Sequence, residues 1–143
     1  MVLKIKKLVP DAIIPTRAYP GDAGLDLYSI EQVALNPGEV RAVKTGIAIQ
    51  LEPGTEAQIR PRSGLALKHK ITVYNSPGTV DSGFRAQLCV ILYNGNDHTY
   101  QVNPGDKIAQ MVIAPYLTPE LVEVSELDET ERGEKGFGSS GLK

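Results

Sequence analysis

The sequence predicts an all-β fold, an antiparallel sandwich, jelly roll or barrel of short strands, on three observations. Apolar residues alternate with period two in segment after segment, as half-buried strands require. Pro-Gly dipeptides separate those segments, because proline presets φ and glycine accepts the positive φ of tight turns. Helix signals are nearly absent, since proline and β-branched residues interrupt every window. Ten Pro and 14 Gly in 143 residues exceed the roughly 12% of average usage, so the chain turns often. Its length fits a single domain.

In chain order, Leu3 and Ile5 start the first alternating piece, and Pro20-Gly21 marks a turn. Asp26 then stands between Leu25 and Leu27, where a strand does not favour Asp. Asn36-Pro37-Gly38-Glu39 recurs as Asn103-Pro104-Gly105-Asp106, the same turn solved twice. Ile47, Ile49 and Leu51 alternate, Pro53-Gly54 turns the chain, and Ala57 and Ile59 alternate again. The one helix candidate is Ser63 to Lys70, with Ser63 as its N-cap. Ile71 and Val73 lead to the Pro77-Gly78 turn, and a hairpin is expected to carry Asp81. Phe84, Ala86, Leu88, Val90 and Leu92 fall on one face of the clearest strand, while Arg85 and Gln87 fall on the other. Tyr100 with Val102, and Ala109 with Met111 and Ile113, complete the set. Residues 1–125 form the expected core. Residues 126–143 begin acidic, at Glu126, Asp128, Glu129 and Glu131, and end rich in glycine. They have too few apolar side chains to order themselves.

Composition excludes several classes. A formal charge of −2 opposes a nucleic-acid partner, whose footprint is usually basic. One cysteine rules out an internal disulfide framework and a cysteine-rich zinc site. The longest apolar run, Leu88 to Tyr93, is far short of the ~20 residues of a membrane span. The first ten residues lack an apolar h-region, so a soluble cytoplasmic domain without a membrane partner is expected. The zinc deaminase signature, a Walker A loop and a dinucleotide-binding GxGxxG are all missing.

Phosphate recognition needs N–H-rich glycine turns and guanidinium forks. Pro61-Arg62-Ser63-Gly64 offers both at the start of the short helix, where the alternative is an ordinary cap with a surface arginine. The glycine-rich tail with Arg132, Ser139 and Ser140 offers both again, the alternative being a frayed terminus. Asp26 and Asp81 are carboxylates in apolar or glycine-rich surroundings; each is either a turn or strand-end acceptor, or a group that holds a metal or an attacking water. His69 and His98 stand in polar, turn-like contexts. Cys89, within LCVIL, reads as a buried structural thiol rather than a nucleophile.

Five segments in order resemble the five motifs of the homotrimeric dUTPase family. They are Ala23 to Ser29, Pro61 to Ala66, Asn75 to Arg85, Gly105 to Gln110, and Arg132-Gly133 through Gly136-Phe137-Gly138-Ser139-Ser140-Gly141. The resemblance spans residues 23 to 141. It implies a distorted jelly-roll barrel of the dUTPase-like β-clip kind, with one short helix and a flexible C-terminal arm. It implies a homotrimer with active sites shared among subunits. It also implies hydrolysis of dUTP to dUMP and pyrophosphate with Mg²⁺, which keeps uracil out of DNA and supplies dUMP for thymidylate synthesis.

By position, Asp81 matches the carboxylate that activates water for attack on the α-phosphorus. Asn75 and the backbone of Gly78, Thr79, Val80 and Asp81 match the hairpin that reads uracil, with Cys89 further along its second strand as a possible backbone contact. Phe84 matches the aromatic residue beneath the deoxyribose. Arg62, Ser63, Gly64 and Gln110 match phosphate contacts, and Asp26 the carboxylate that holds the metal through water ligands. Arg132, Phe137, Gly138, Ser139 and Ser140 match the arm, with Phe137 on uracil and Arg132 on the terminal phosphate. Phe84, Ala86, Lys107 and Ser140 replace the more usual Tyr, Gly, Arg and Thr. A related dCTP deaminase needs a catalytic glutamate, and none lies between Glu56 and Glu120. Intact Asp26, Asp81 and Arg132 argue against a regulatory nucleotide-binding protein of the same fold, and a purely structural jelly roll would not need an aromatic glycine tail.

Overall fold

Pro-Gly turns set the strand boundaries along the chain. The structure, a computed structural model, describes residues 1–143. Its elements are β1 (Lys4–Lys7), β2 (Leu25–Tyr28), β3 (Val33–Leu35), β4 (Val40–Lys44), β5 (Ile47–Gln50), β6 (Thr55–Arg60), α1 (Ser63–His69), β7 (Ile71–Val73), β8 (Gly78–Val80), β9 (Cys89–Asn94), β10 (Tyr100–Val102) and β11 (Lys107–Pro115). All pairing is antiparallel, in sheets ordered β2-β11-β6-β8, β4-β9-β7, β1-β5 and β3-β10. The sheets curl into a jelly-roll-like barrel around Leu27, Leu35, Val43, Ile47, Ile59, Ile71, Val90, Leu92 and Met111. Period-two burial is clearest in β6, where Thr55, Ala57 and Ile59 point inward.

The repeated turn is built as its sequence predicts. Glu39 N–H donates to Asn36 O and Asp106 N–H to Asn103 O, while Gly38 and Gly105 take positive φ. In each turn the acidic side chain also accepts the first residue's N–H, Asn36 to Glu39 at 2.9 Å and Asn103 to Asp106 at 2.8 Å. Tyr19-Pro20-Gly21-Asp22 is a third copy, with Asp22 N–H on Tyr19 O and Tyr19 N–H on the Asp22 carboxylate at 3.0 Å. Such doubly closed turns let short strands begin and end sharply without unpaired backbone groups.

Three local expectations are corrected. Ser63 is the first helical residue and not the cap: Arg62 occupies the N-cap in extended geometry, with no side-chain cap bond. The helix ends where Lys70 turns left-handed at φ 51, so β7 starts at once. The predicted strand Phe84 to Leu92 is regular only from Cys89 onward. Its first part has no partner strand and is tied by side chains and turns: Gly46 N–H donates to Gln87 Oε1 and Leu88 N–H to Ile47 O. Finally, the segment around Asp81 is no hairpin ladder. β8 pairs with β6, whereas β7 pairs with β9 in another sheet, so Cys89 and Gly78 belong to different sheets.

After Pro115 no strand follows, and every residue from Leu117 to Lys143 is exposed. No helix is long and apolar enough to cross a membrane.

Candidate active site

The register of the four-stranded sheet builds the first concavity. Gln110 on β11 stands opposite Asp26 on β2 and opposite Arg60 on β6, so these side chains share one face. Arg62 follows β6 directly and Lys107 precedes a register shift in β11. The two cations meet the buried Asp26 from both sides, Arg62 Nε at 3.1 Å from Oδ1 and Lys107 Nζ at 3.3 Å from Oδ2. An unpaired carboxylate at that depth would be strongly unfavourable, which explains how Asp is tolerated inside a strand.

Above them opens a cleft of ≈ 440 Å³ lined by Asp22, Gly24, Asp26, Arg62, Ser63, Gly64 and Gln110, among others. Gln110 is aimed by its Nε2 donating to Pro61 O at 2.9 Å. Ser63 and Gly64, in the first turn of α1, have N–H groups with no acceptor inside the helix. No group of three or more His, Cys, Asp or Glu side chains capable of holding a metal ion exists in the chain. Asp26 in this cleft is already neutralised by two cations, and Asp22 is the other carboxylate residue that lines it.

The second concavity, ≈ 270 Å³, is mostly apolar and lies beyond β8. Asn75, Gly78, Thr79, Val80, Asp81, Phe84 and Cys89 line it together with Ile59, Leu88 and Ile91. Asn75 packs so closely on Gly78 that a Cβ there would lie 3.0 Å from Asn75 Nδ2. Asp81 and Phe84 are exposed at the rim. Cys89 is exposed rather than buried, because the irregular stretch before β9 leaves its side uncovered. Partial enclosure, and secondarily Glu31, hold the Cys89 thiol above its ordinary pKa, so it stays protonated and is no thiolate nucleophile.

A third concavity joins Arg132, Lys135, Gly138, Ser139 and Ser140 within the tail. Arg132 Nε donates to Lys135 O at 2.9 Å, and Phe137 is fully exposed. The sequence-predicted residues thus fall into three groups that share no member. The cleft is lined from β2, β11 and the segment after β6, and the pocket from β6, β8, β9 and the turn between β8 and β9, so they are separate openings with no lining residue in common.

Sequence reasoning missed Asp22, the pairing of Lys107 with Asp26, and the space that Gly24 leaves for Gln110. Only the first had a signal, since Tyr19 to Asp22 repeats the Pro-Gly-acid pattern of Asn36 to Glu39 and Asn103 to Asp106.

A family model described as dUTPase matches residues 10–141. The chain belongs to the dUTPase family. Among curated relatives it is 55% identical to the deoxyuridine 5'-triphosphate nucleotidohydrolase of Clostridioides difficile, over 98% of each chain. It is 56% identical to that of Gloeothece citriformis, over 99% of this chain and 98% of the other. Among solved structures, the dUTPase of Staphylococcus bacteriophage 80alpha with dUpNHpp matches with a TM-score of 0.92 at 32% identity, covering 99% of both chains. A variant of the dUTPase from phage phi11 of S. aureus, solved for the coordination of a structural Mg(II) ion, matches with a TM-score of 0.84 at 30% identity, over 90% of this chain and 100% of the other. The jelly-roll-like β fold is thus the fold of the dUTPases that it resembles.

Proposed function

We infer that this chain is a dUTP diphosphatase, hydrolysing dUTP to dUMP and pyrophosphate, and that its active site is completed only in a homotrimer. The observation that carries this reading is the pairing of an apolar pocket with a carboxylate at its rim and a separate cleft lined by Arg62, Ser63, Gly64 and Gln110. Base and sugar suit the first, phosphates the second. Because the two share no lining residue and open separately, the pocket of one subunit is expected to face the cleft of another. Residues 126–143 of a third subunit then close over both as an arm.

Asp81 takes a proton from the attacking water. The water oxygen bonds to the α-phosphorus, the bond from phosphorus to the α,β-bridging oxygen breaks, and pyrophosphate leaves with that electron pair. Such loose transition states leave the protein mostly positioning and charge neutralisation. The cleft has little charge to spare, since Arg62 and Lys107 are balanced by Asp22 and Asp26. A bound Mg²⁺ would supply the missing positive charge, held by Asp26 through water ligands and by the phosphates themselves. Asp26, already paired with Arg62 and Lys107, fits a metal that arrives on the nucleotide rather than one bound in advance. Arg132 adds a second guanidinium on the terminal phosphate, and Phe137 stacks on uracil.

Backbone groups of Gly78 to Asp81 and the Asn75 amide read the uracil edge. A wrong base would cover these polar groups and leave them unpaired, which discriminates better than an apolar wall. Cys89 contributes at most its backbone. The reaction belongs to the cytoplasm, where dUTP is made available for removal.

The test is Asp81→Asn. Turnover of dUTP should fall by the ~10²–10⁴-fold typical of a lost general base, while dUpNHpp with Mg²⁺ still binds. Release of dUMP and pyrophosphate should be selective for dUTP over dCTP, dTTP and UTP. Near-normal turnover in the variant would remove Asp81 from the chemistry.

A further inference from the structure

We propose that Arg85 is a positioning residue that holds Asp81 and Phe84 in their working geometry; this rests on the reading of Asp81 as the water-activating carboxylate. Side-chain hydrogen bonds around the turn involve Ser82, Arg85 and Tyr116, and none involves the Asp81 carboxylate. Its direction is therefore set by the backbone that carries it. That backbone has no ladder to rely on, since β8 ends at Val80 and β9 begins at Cys89. One main-chain bond closes the turn, Phe84 N–H donating to Asp81 O at 3.1 Å. Between them lies Gly83, with open space where a side chain would be.

Arg85 folds back over this turn. Its Nη1 donates to Ser82 O at 2.7 Å and to Phe84 O at 3.1 Å, so one guanidinium nitrogen ties the carbonyls on either side of Gly83. No carboxylate competes for it: Arg85 makes no ion pair, and the charged groups sharing its groove are Lys4 and Lys6. Charge-assisted bonds of this kind are stronger than neutral ones. Without them the turn keeps the one main-chain bond and a 3.4 Å contact between Ser82 Oγ and the Tyr116 hydroxyl. Asp81 and Phe84 would then drift together, so the lost tie should appear both in turnover and in sugar selectivity.

Steady-state kinetics of the full-length chain with dUTP and with UTP, beside thermal unfolding, tests this in Arg85→Gln, Arg85→Lys and Asp81→Asn. Arg85→Gln should lower kcat by about 10- to 100-fold, the range expected for misplacing a reacting group by ~1 Å. It should also lower the ratio of kcat/KM for dUTP over UTP severalfold, with an unchanged unfolding midpoint. Arg85→Lys, which keeps the charge and donors but not the planar fork, should lie between that variant and the wild type. The proposal fails if Arg85→Gln keeps both kcat and the selectivity ratio within twofold. It fails equally if that chain does not fold, or loses activity with the ratio intact, since the tie is then structural only. Retained turnover in Asp81→Asn would instead overturn the reading beneath it, whatever Arg85 does.

Discussion

Asp26 shows how a single unfavourable residue becomes legible. Its burial in β2 runs against strand preference, and two cations on separate elements are needed to offset it. Gly24, two residues earlier, illustrates a different constraint. Its φ lies outside the left-handed region, yet a Cβ there would overlap Gln110 Oε1. Glycine is required at this position for room, so that Gln110 can reach Pro61 O and face the cleft. Gly24→Ala should push that flexible side chain aside with little loss of thermal stability. Forfeiting one neutral hydrogen bond of ~0.5–1.5 kcal/mol corresponds to about a 2- to 12-fold drop in kcat/KM, and Gln110→Ala should reproduce it. An unchanged kcat/KM in both variants would take Gln110 out of phosphate binding.

Among the elements, the tail differs most from the rest. Its local turns are formed, with Lys135 N–H on Arg132 O and Ser139 N–H on Gly136 O, but nothing in the chain packs on it. Phe137 sits at φ 43, followed by Gly138 at φ 84, a conformation costly for a bulky residue that turns the ring to solvent. If the tail acts as the proposed arm, binding orders the segment, and stacking and the Arg132–phosphate contact have to exceed that cost. A chain ending at Glu131 should fold and assemble with an unchanged unfolding midpoint. It forgoes ~1–3 kcal/mol of base stacking and ~1.5–3 kcal/mol of charged hydrogen bonding, offset in part by the ordering cost that a chain without the tail does not incur, so kcat/KM should drop about 10- to 100-fold. The chain has no Trp, which makes Phe137→Trp a sole reporter. Its emission should change strongly with dUpNHpp and Mg²⁺ and little with inorganic phosphate. A shortened chain with wild-type kcat/KM would show that the tail takes no part.

For the molecule as a whole, the separation of pocket and cleft supports the proposed sharing of sites between copies. Leu117, Leu121, Val122, Val124 and Leu127 are also exposed on one chain, a stretch of apolar surface consistent with burial against neighbours. Sedimentation should show three times 15.4 kDa. Mixing Asp81→Asn with Arg132→Ala chains should restore activity, because some sites then draw an intact Asp81 and an intact Arg132 from different subunits. Random assembly at equal amounts predicts about a quarter of wild-type activity. A fully active monomer, or a mixture as inactive as its parts, would contradict shared sites.

The all-β class, the Pro-Gly turns and the short helix were legible in the sequence, because period-two burial and backbone-restricted residues act over a few positions. The candidate site residues came as five separate segments through the resemblance to the dUTPase family, while their chemistry alone marked only Pro61 to Gly64, the glycine-rich tail, Asp26 and Asp81. What those segments do to one another was not legible. Alternation from Phe84 to Leu92 suggested one strand, but a strand also needs a neighbouring strand for its N–H and C=O groups, and residues 84–87 have none, Phe84 bonding only within its own turn. Whether Ser63 caps or begins α1 depended on the extended Arg62 that Asp26 holds. The sequence by itself determined which groups are present and in what order; only the tertiary structure decided that they lie in three separate concavities, because strand order and register arise from pairing between distant segments.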